Sequence, residues 1–210
     1  MRIAVVGAYG NGKTTLTTKL ADLLDLPRVH GAPMRNPVGT VPKSLEDCSD
    51  LELLQLTLRR FAERITAEER VGAFVSDGSS LHEWVYLAVR SAVGRHPDVD
   101  RLPPASRSPY FDVVAHVGAV VQQRTAGSYD LFVHLPAEIP LAAGETAINE
   151  QFRVLSDRLL LDTLDGLGCP VHVVRGDAEE RLTQVVALAQ ATNTSSAVAR
   201  QHLPGRISIP

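Results

Sequence analysis

The sequence predicts an α/β fold of three layers, in which a mainly parallel, five-stranded sheet lies between two layers of helices. The first observation is that short apolar runs, typical of buried strands, alternate with segments of helical periodicity along the 210 residues. The second is the run at residues 2–6, which has no polar side chain after Arg2 and is typical of a strand buried on both faces. Strands that alternate with helices are joined by crossovers, and they therefore pair in parallel.

Each strand and helix has its own local signal. The predicted strands are residues 2–6, 28–30, 72–75, 129–135 and 170–174. The predicted helices are residues 13–26, 49–65, 80–88, 113–121, 152–167 and 178–190. Prolines and glycines separate these elements, such as Pro27 after the first helix and Gly127 before the fourth strand.

Two helix starts carry a further signal, a serine that is followed three residues later by a glutamate. Ser49 with Glu52, and Ser80 with Glu83, both fit the capping box, in which each side chain bonds to the backbone of the other residue. Apolar residues at helical spacing follow both serines. We therefore interpret Glu83 as a capping residue rather than as a catalytic acid.

The chain is predicted to form one domain with a short extension. No internal repeat and no linker interrupts residues 1–191, whereas the polar residues 192–210 predict a flexible C-terminal tail. Within the domain, residues 31–47 and 94–109 are rich in proline and predict long loops. The second of these loops is a candidate for mobility or for contact with substrate.

Composition excludes several classes of protein. The 21 basic and 24 acidic residues give a formal charge of −3, so bulk charge does not drive binding to nucleic acid or to an anionic membrane. No apolar run approaches the roughly 20 residues that a membrane span needs, and the N-terminus has no signal-peptide pattern. Cys48 and Cys169 have no spacing typical of zinc or of a disulfide framework. We therefore expect a cytoplasmic protein.

The segment between the first strand and the first helix is a phosphate-binding motif. GAYGNGKT, from Gly7 to Thr14, matches the P-loop pattern G-x-x-x-x-G-K-[ST] at every fixed position. The glycines let backbone N–H groups surround a phosphate, Lys13 neutralises phosphate oxygens, and the Thr14 hydroxyl is a ligand for Mg²⁺. We expect ATP or GTP, with Mg²⁺, to be bound by Gly7, Tyr9, Gly10, Asn11, Gly12, Lys13, Thr14 and Thr15.

The class of P-loop protein depends on the motifs that accompany this loop. A regulatory GTPase carries N-K-x-D, which the sequence lacks, and its D-x-x-G follows a strand, whereas Asp165 to Gly168 closes a predicted helix. An AAA-type motor ATPase has a strand that ends in Asp-Glu, but the strand here ends in Asp77 and Gly78. A lone carboxylate at this strand end is typical of small-molecule kinases.

Asp77 is therefore a candidate for catalysis, for contact with the acceptor and for binding Mg²⁺. The carboxyl ends of parallel strands form the ligand crevice of such a sheet, which places Asp77 beside the P-loop. There it could accept a hydrogen bond from the acceptor hydroxyl, act as its base, or hold Mg²⁺ through water. The alternative is a solvated aspartate that caps the turn at Gly78.

These features resemble the nucleoside and nucleotide kinase-like branch of the P-loop NTPases, in particular the ATP-binding kinase domains grouped with nicotinamide riboside kinase. The similarity continues in YDLFVHL, residues 129–135, and in PVHVVRGDAEERL, residues 170–182. The resemblance implies a P-loop kinase domain with a lid over about residues 136–157. It does not name the substrate, because the substrate varies within that group.

The resemblance also implies roles for individual residues. Arg153 in the lid would stabilise charge on the transferred phosphoryl group as a catalytic residue, and Arg158 is a second candidate. The alternative for both arginines is a solvated helix face. Gly176 and Asp177, after the last strand, would pack against the adenine of the nucleotide, or would form only a turn.

Three further residues, besides Asp77, are candidates for contact with the acceptor. His30 and Arg35 follow the second strand, where kinases of this branch often seat the acceptor. His82 comes just after Asp77 at a helix start, where the alternative is an exposed histidine without a ligand. The other histidines lack the spacing of metal ligands.

The sequence thus predicts an ATP- and Mg²⁺-dependent kinase of a small acceptor, with a nucleoside or nucleotide as the expected class. The alternative is a nucleotide-binding regulatory ATPase or GTPase without a small acceptor. A kinase of a macromolecule such as RNA is a third hypothesis, which the net charge of −3 disfavours. The acceptor, the choice between ATP and GTP, and the oligomeric state, with a homodimer as one option, stay open.

Overall fold

The computed structural model describes residues 1–30, 47–104, 108–141 and 148–201, with side chains up to Thr194. The strands are β1 (Arg2–Val6), β2 (Arg28–His30), β3 (Phe74–Asp77), β4 (Leu131–His134) and β5 (Val171–Val173). The helices are α1 (Lys13–Leu24), α2 (Asp50–Val71), α3 (Ser80–Val93), α4 (Pro109–Thr125), α5 (Glu150–Gly166) and α6 (Ala178–Gln201). None of these described helices is long and apolar enough to cross a membrane.

The five strands form one sheet in the order β2-β3-β1-β4-β5, and every neighbouring pair is parallel. This arrangement confirms the predicted α/β fold and its five-stranded sheet. β1 lies at the centre, and its residue Val5 pairs with Asp77 of β3. The register therefore places Asp77 at the end of the sheet where β1 leads into the P-loop.

Two separate cores show that helices cover both faces of the sheet. Ile3 and Val5 of β1 pack with residues of α1 and α6, such as Leu20 and Val185. Ala4 and Val6 face the other way, into a larger core built from α3, α4 and α5. Since all four β1 residues have no exposed surface, β1 is buried on both faces, as its sequence predicts.

The capping residue of α3 differs from the prediction by one position, although the helix begins at Ser80 as predicted. Ser79 rather than Ser80 caps the helix, and its backbone N–H donates a 3.0 Å hydrogen bond to Nδ1 of His82. The Ser80 hydroxyl instead lies 2.7 Å from that of Thr125 on α4. The predicted capping box of Ser80 with Glu83 is therefore wrong, because helix packing occupies the hydroxyl and arginines occupy the Glu83 carboxylate.

Several element boundaries also differ from the predicted ones. β3 starts at Phe74 rather than at residue 72, because Gly72 closes α2 with a φ of 70°. α6 continues past the predicted end at residue 190 as far as Gln201. The division into a domain of residues 1–191 and a tail of residues 192–210 stays a prediction.

The predicted lid overlaps the start of α5. Asn149 caps this helix by accepting a 2.9 Å hydrogen bond from the backbone N–H of Phe152. Phe152 and Leu155 belong to the large core, so this part of segment 136–157 is packed against the domain. Residues 142–147 lie outside the described residues, and movement of the segment stays a prediction.

Candidate active site

The loop between β1 and α1 has the backbone that its motif predicts. Gly7, Gly10 and Gly12 have φ angles of 136°, 80° and 82°, which residues with a Cβ rarely adopt. A Cβ at Gly7 would also overlap the backbone carbonyl oxygen of Leu135. Glycine is therefore needed at position 7 both for the turn and for the close approach of the loop to the chain after β4.

The side chain of Lys13 folds back onto the P-loop. Its Nζ donates a 2.6 Å hydrogen bond to the carbonyl oxygen of Ala8. Burial lowers the pKa of Lys13 to about 8, although the carboxylates of Asp77 and Asp157 act to raise it. A bound polyphosphate would favour the charged ammonium, so the position suits an anionic ligand.

Thr14 and Asp77 meet at the mouth of the loop. The Thr14 hydroxyl donates a 2.7 Å hydrogen bond to Oδ2 of Asp77, and Arg28 of β2 donates a 2.6 Å bond to the same oxygen. Arg28 also donates to the hydroxyl of Thr17 on α1, at 2.9 Å. A hydroxyl and a carboxylate are ligands that Mg²⁺ combines with phosphate oxygens and water, so Thr14 and Asp77 fit a magnesium site.

Asn11 connects the P-loop to three other parts of the chain. Its side-chain amide donates a 2.8 Å hydrogen bond to the carbonyl oxygen of Leu135. Its side-chain oxygen accepts a hydrogen bond from Arg153 of α5, and its backbone carbonyl accepts a 2.9 Å bond from Arg181 of α6. Asn11 is fully buried, and its hydrogen bonds hold the P-loop against the rest of the domain.

Arg153, the predicted lid arginine, lies buried next to the P-loop. The side chain has no exposed surface. Besides Asn11, its guanidinium donates to the carbonyl oxygen of Ile139 at 3.0 Å and to Glu150 at 2.9 Å. Arg153 therefore supports the P-loop through Asn11. Its burial rules out the solvated helix face, whereas its role in a lid stays a prediction.

His82 is likewise occupied by the protein itself. Nε2 lies 3.1 Å from the carbonyl oxygen of Gly7, and Nδ1 accepts the hydrogen bond from Ser79. Burial, together with the positive charges of Lys13 and Arg64, lowers the pKa of His82 to about 3. His82 is therefore a neutral histidine that joins the P-loop to α3, rather than a free contact for the acceptor or an exposed residue.

A buried cluster of charged residues lies beside Asp77 and was not predicted. The Glu83 carboxylate, 1% exposed, pairs with Arg60 and, at 3.1 Å, with Arg64, both on α2. Arg64 also donates a 2.9 Å hydrogen bond to the hydroxyl of Ser76 on β3. One sequence feature could have indicated this cluster. Arg60 and Arg64 are four residues apart, which places two cations on the same face of α2, one helical turn apart and towards the sheet.

A second carboxylate supports the P-loop and was also missed. Asp157 of α5 accepts a 3.0 Å hydrogen bond from the backbone N–H of Ala8. The same carboxylate lies 2.9 Å from Nε2 of His134, which is buried at the end of β4. No local sequence pattern connects these residues, because they come from different parts of the chain.

The loop lines a cavity of about 760 Å³ at the carboxyl ends of the central strands. It is lined by nine of the predicted site residues: Tyr9, Gly10, Asn11, Gly12, Lys13, Thr14, His30, Asp77 and His82. Arg60, Arg64, Glu83 and Tyr86 form another wall. The structure therefore brings together the P-loop, the strand-end carboxylate and a space beside them.

Thr15 and Asp177, two other predicted site residues, lie apart from this cavity. Thr15 is exposed in the first turn of α1, and Arg35 lies outside the described residues. Asp177 caps α6 by accepting 2.9 Å hydrogen bonds from the backbone N–H groups of Glu179 and Glu180. This geometry is the turn that the sequence allowed as an alternative, and contact of Gly176 and Asp177 with adenine stays a prediction.

A second cavity of about 440 Å³ adjoins the first. Its walls come from α2, α3 and α5 and include Leu53, Leu87 and Phe152. Tyr9, Arg60 and Tyr86 line both cavities, so that the two spaces meet at these side chains. The aromatic rings of Tyr86 and Phe152 lie 6.1 Å apart between ring centres.

Comparison with known families agrees with this geometry. A family model described as an AAA domain matches residues 2–181, which is most of the chain. The chain belongs to this family. It is therefore a P-loop NTPase, as its motif predicts, although Gly78 still stands where an AAA-type motor ATPase carries a glutamate. No curated protein matches the chain in sequence.

Solved structures share the fold at low sequence identity. The structure of deoxyadenosine kinase from M. mycoides with bound dATP has a TM-score of 0.60 and 12% identity, and covers 90% of this chain and 100% of its own. The same enzyme with the products dCMP and a flexible dCDP bound has a TM-score of 0.60 and 14% identity, with 91% and 100% covered. At such identities the similarity is one of fold.

Proposed function

We propose that the protein is a kinase that transfers the γ-phosphoryl group of ATP or GTP, with Mg²⁺, to a small nucleoside or nucleotide acceptor. The observation that carries this proposal is the meeting of two cavities at Tyr9, Arg60 and Tyr86. A triphosphate in the P-loop cavity and an acceptor in the second cavity would meet at these residues. The fold shared with deoxyadenosine kinase supports the same class of acceptor.

The second cavity has the size and lining of a small-molecule site. Its volume of about 440 Å³ lies in the usual range for such sites, and aromatic and aliphatic side chains form most of its walls. Tyr86 and Phe152 provide ring faces on which a heterocyclic base can pack. A regulatory nucleotide switch has no need of this space, which favours the kinase over that alternative.

Residues of the P-loop would perform the nucleotide half of the reaction. Backbone N–H groups of the loop and Lys13 bind the phosphates, and Thr14 and Asp77 hold the metal. When bound, Mg²⁺ neutralises charge on the phosphate oxygens. The hydrogen bonds of Asn11 to Leu135, Arg153 and Arg181 fix the loop before substrate arrives, which reduces the cost of ordering it.

Asp77 and Arg60 would perform the acceptor half. Thr14 and Arg28 both donate their described hydrogen bonds to Oδ2 of Asp77. We therefore assign Oδ1 of Asp77 to the acceptor hydroxyl. This oxygen would orient the hydroxyl and accept its proton. Arg60 lines both cavities, whereas Arg153 is fully buried and is not among the lining residues of either cavity. We therefore assign to Arg60 the stabilisation of charge on the phosphoryl group during transfer.

The cysteines bear on where the reaction takes place. Cys48 and Cys169 are both free thiols. Free thiols are typical of reducing compartments. We therefore propose a cytoplasmic location for the reaction, where nucleoside triphosphates are also available.

The test is the variant Asp77→Asn, which keeps the shape of the side chain but removes its charge and basicity. Acceptor phosphorylation should fall by about 10²- to 10⁴-fold, while nucleotide affinity, measured by calorimetry, should change far less. Asp22→Asn, on the exposed face of α1, is the matched control and should behave as wild type. Loss of nucleotide affinity in Asp77→Asn, with no acceptor phosphorylated by wild type across a broad panel, would support the regulatory alternative instead.

A further inference from the structure

The peptide unit between Gly7 and Ala8, at the start of the P-loop, is held from two sides by side chains. Its carbonyl oxygen, on Gly7, lies 3.1 Å from Nε2 of His82 on α3. Its N–H, on Ala8, donates a 3.0 Å hydrogen bond to Oδ1 of Asp157 on α5. The orientation of this peptide plane is therefore set by two helices that share the larger core of the domain.

The proton positions on the two histidines of this region follow from their partners. The backbone N–H of Ser79 donates to Nδ1 of His82, so the proton lies on Nε2, which donates it to the carbonyl oxygen of Gly7. Nε2 of His134 lies 2.9 Å from Oδ2 and 3.1 Å from Oδ1 of Asp157, so this nitrogen also carries a proton. Nδ1 of His134 is buried and has no hydrogen-bond partner among the described residues, which leaves Asp157 to orient the ring.

The Asp157 carboxylate lies between the end of β4 and the P-loop. Its side chain is 16% exposed, and that of His134 is 4% exposed. Neither Asp157 nor His134 is among the described residues that line the P-loop cavity. Asp157 therefore acts on the loop from outside the cavity, through the backbone of Ala8.

The negative charge of Asp157 gives two opposite expectations for nucleotide binding. A carboxylate that is bonded to a polyphosphate-binding loop repels the ligand, so repulsion alone would make binding tighter when Asp157 is removed. A carboxylate is also a stronger acceptor for a backbone N–H than a neutral group is, so loss of this hydrogen bond would release the loop and make binding weaker. The sign of the change therefore distinguishes the two effects.

We propose that Asp157, held in place by His134, is a positioning residue of the P-loop, which directs the Ala8 N–H towards α5 and leaves the later N–H groups of the loop to bind phosphate. This inference rests on the proposed function, since it assumes that the loop binds a nucleoside triphosphate. Neither side chain needs to touch the nucleotide for this role.

The flexibility of Gly7 is the physical reason why the peptide needs to be held. Without Asp157, the Ala8 N–H would lose its acceptor in a part-buried site. The peptide plane could then rotate, because Gly7 has no Cβ to restrict its backbone angles. Nucleotide binding would have to restore the orientation of the loop, and the cost of this ordering would lower the affinity.

The experiment measures, by calorimetry with Mg²⁺, the affinity of a non-hydrolysable ATP analogue for two variants of Asp157. Asp157→Ala removes the acceptor of the Ala8 N–H, and the analogue should bind about 10-fold more weakly. Asp157→Asn removes the charge but keeps an oxygen that can accept this hydrogen bond, so its affinity should stay within about threefold of wild type. Asp162→Ala, at an exposed position of the same helix, is the matched control and should bind as wild type does.

A double-mutant cycle tests the part that His134 plays. His134→Phe keeps a ring at the end of β4 but donates no hydrogen bond, and it should weaken binding of the analogue by about 2- to 5-fold. Combined with Asp157→Ala, it should weaken binding no further, because His134 acts through Asp157.

Hydrogen exchange of the Ala8 amide in the nucleotide-free protein, followed by NMR, reports on the peptide itself. Exchange should be about 10-fold faster in Asp157→Ala and close to wild type in Asp157→Asn. This measurement also keeps the proposal open to refutation if His134→Phe fails to fold.

Three results would overturn the proposal: unchanged or tighter binding by Asp157→Ala, equal losses of affinity in Asp157→Ala and Asp157→Asn, or additive effects of Asp157→Ala and His134→Phe. Failure of the wild-type protein to bind the analogue would contradict the proposed function, and this inference with it. Because no acceptor takes part in these measurements, a failure to phosphorylate any acceptor would be a separate result.

Discussion

The Thr14 hydroxyl donates a 2.7 Å hydrogen bond to the Asp77 carboxylate, and this contact joins the P-loop helix to the end of β3. The two residues are 63 positions apart in the sequence, yet both occupy the same end of the sheet because β1 and β3 are parallel neighbours. Arg28 of β2 binds the same carboxylate oxygen. Three adjacent strands and α1 thus converge on the point where we place the metal.

The first prediction concerns the charge of Lys13. Because the pKa of Lys13 in the free protein is lowered to about 8, a growing fraction of the side chain is uncharged above that pH. Bound phosphates favour the charged form, so nucleotide binding above about pH 8 should take up protons and should weaken as the pH rises. Calorimetry in two buffers of different ionisation enthalpy measures this uptake.

Lys13→Arg is the matched variant for this prediction, since a guanidinium stays charged at these pH values. The variant should bind nucleotide without proton uptake above about pH 8. Proton uptake of the same size in wild type and Lys13→Arg would show that another group titrates, and would contradict the assignment to Lys13.

The second prediction separates a supporting role of Arg153 from a role in a mobile lid. Arg153→Met removes a fully buried guanidinium and leaves the side-chain oxygen of Asn11 without this donor, which should lower the free energy of unfolding by about 1–3 kcal/mol. Nucleotide affinity should fall together with stability, because Asn11 belongs to the P-loop. Chemical denaturation and calorimetry measure the two quantities.

Arg158→Met is the control for Arg153, because Arg158 lies on the same helix with an exposed side chain. It should change stability and affinity little. A lid arginine would give a different result, in which Arg153→Met lowers kcat but leaves both the free energy of unfolding and nucleotide affinity at wild-type values.

The third prediction is a pH dependence of stability that arises from His82. Its pKa is lowered to about 3 in the folded protein, whereas an unfolded histidine has a pKa of about 6.5. Between these values the unfolded chain binds the extra proton, so stability falls as the pH decreases below about 6.5, by up to about 1.4 kcal/mol per pH unit. Above about pH 6.5 this contribution is complete.

Urea unfolding at several pH values between about 5 and 7 tests the assignment to His82. His82→Asn should be less stable than wild type near neutral pH, and its stability should depend less steeply on pH over this range. If the two proteins lose stability in parallel as the pH falls, other groups are responsible for the effect.

The fourth prediction tests how closely α3 and α4 pack. A Cβ at Gly118 of α4 would lie 2.5 Å from Cε2 of Trp84, whose indole N–H donates a 3.0 Å hydrogen bond to the carbonyl oxygen of Val114. Gly118→Ala should therefore lower the free energy of unfolding by about 1–3 kcal/mol, despite the better helix propensity of alanine. Thermal or chemical unfolding measures the change.

Gly166→Ala is the matched control for Gly118, since Gly166 lies in α5 with no atom within 4 Å of an added Cβ. This substitution should leave stability unchanged or raise it by up to about 1 kcal/mol. If Gly118→Ala stabilised the protein as Gly166→Ala does, the described packing of Trp84 against α4 would be wrong.

The fold and the centre of the site could be predicted because their signals are local. A buried strand, a P-loop and a helix start at Lys13 are adjacent in the sequence, and β-sheet topology then places the strand-end residue Asp77 beside them. The capping residue of α3 was placed one position late because Ser79 and Ser80 are both good caps. Only the packing of Ser80 against Thr125 decides between them.

The residues that hold the P-loop in place could not be predicted in the same way. Arg153 lies 142 positions from Asn11, Arg181 lies 170 positions from it, and Asp157 lies 149 positions from Ala8. Contacts at such separation depend on how whole helices pack, which no short pattern encodes. The resemblance to kinases with a lid pointed to Arg153, but the contact of Arg153 with Asn11 could not be read from it.

The most direct test of the central claim is the stoichiometry of the reaction catalysed by the wild-type protein. Purified protein is incubated with ATP or GTP and Mg²⁺, with and without a panel of nucleosides and nucleotides, and both products are quantified. The account predicts that nucleoside diphosphate is released only when an acceptor is present, and in an amount equal to the phosphorylated acceptor formed. Release at the same rate without any acceptor, and no phosphorylated product from any member of the panel, would contradict it.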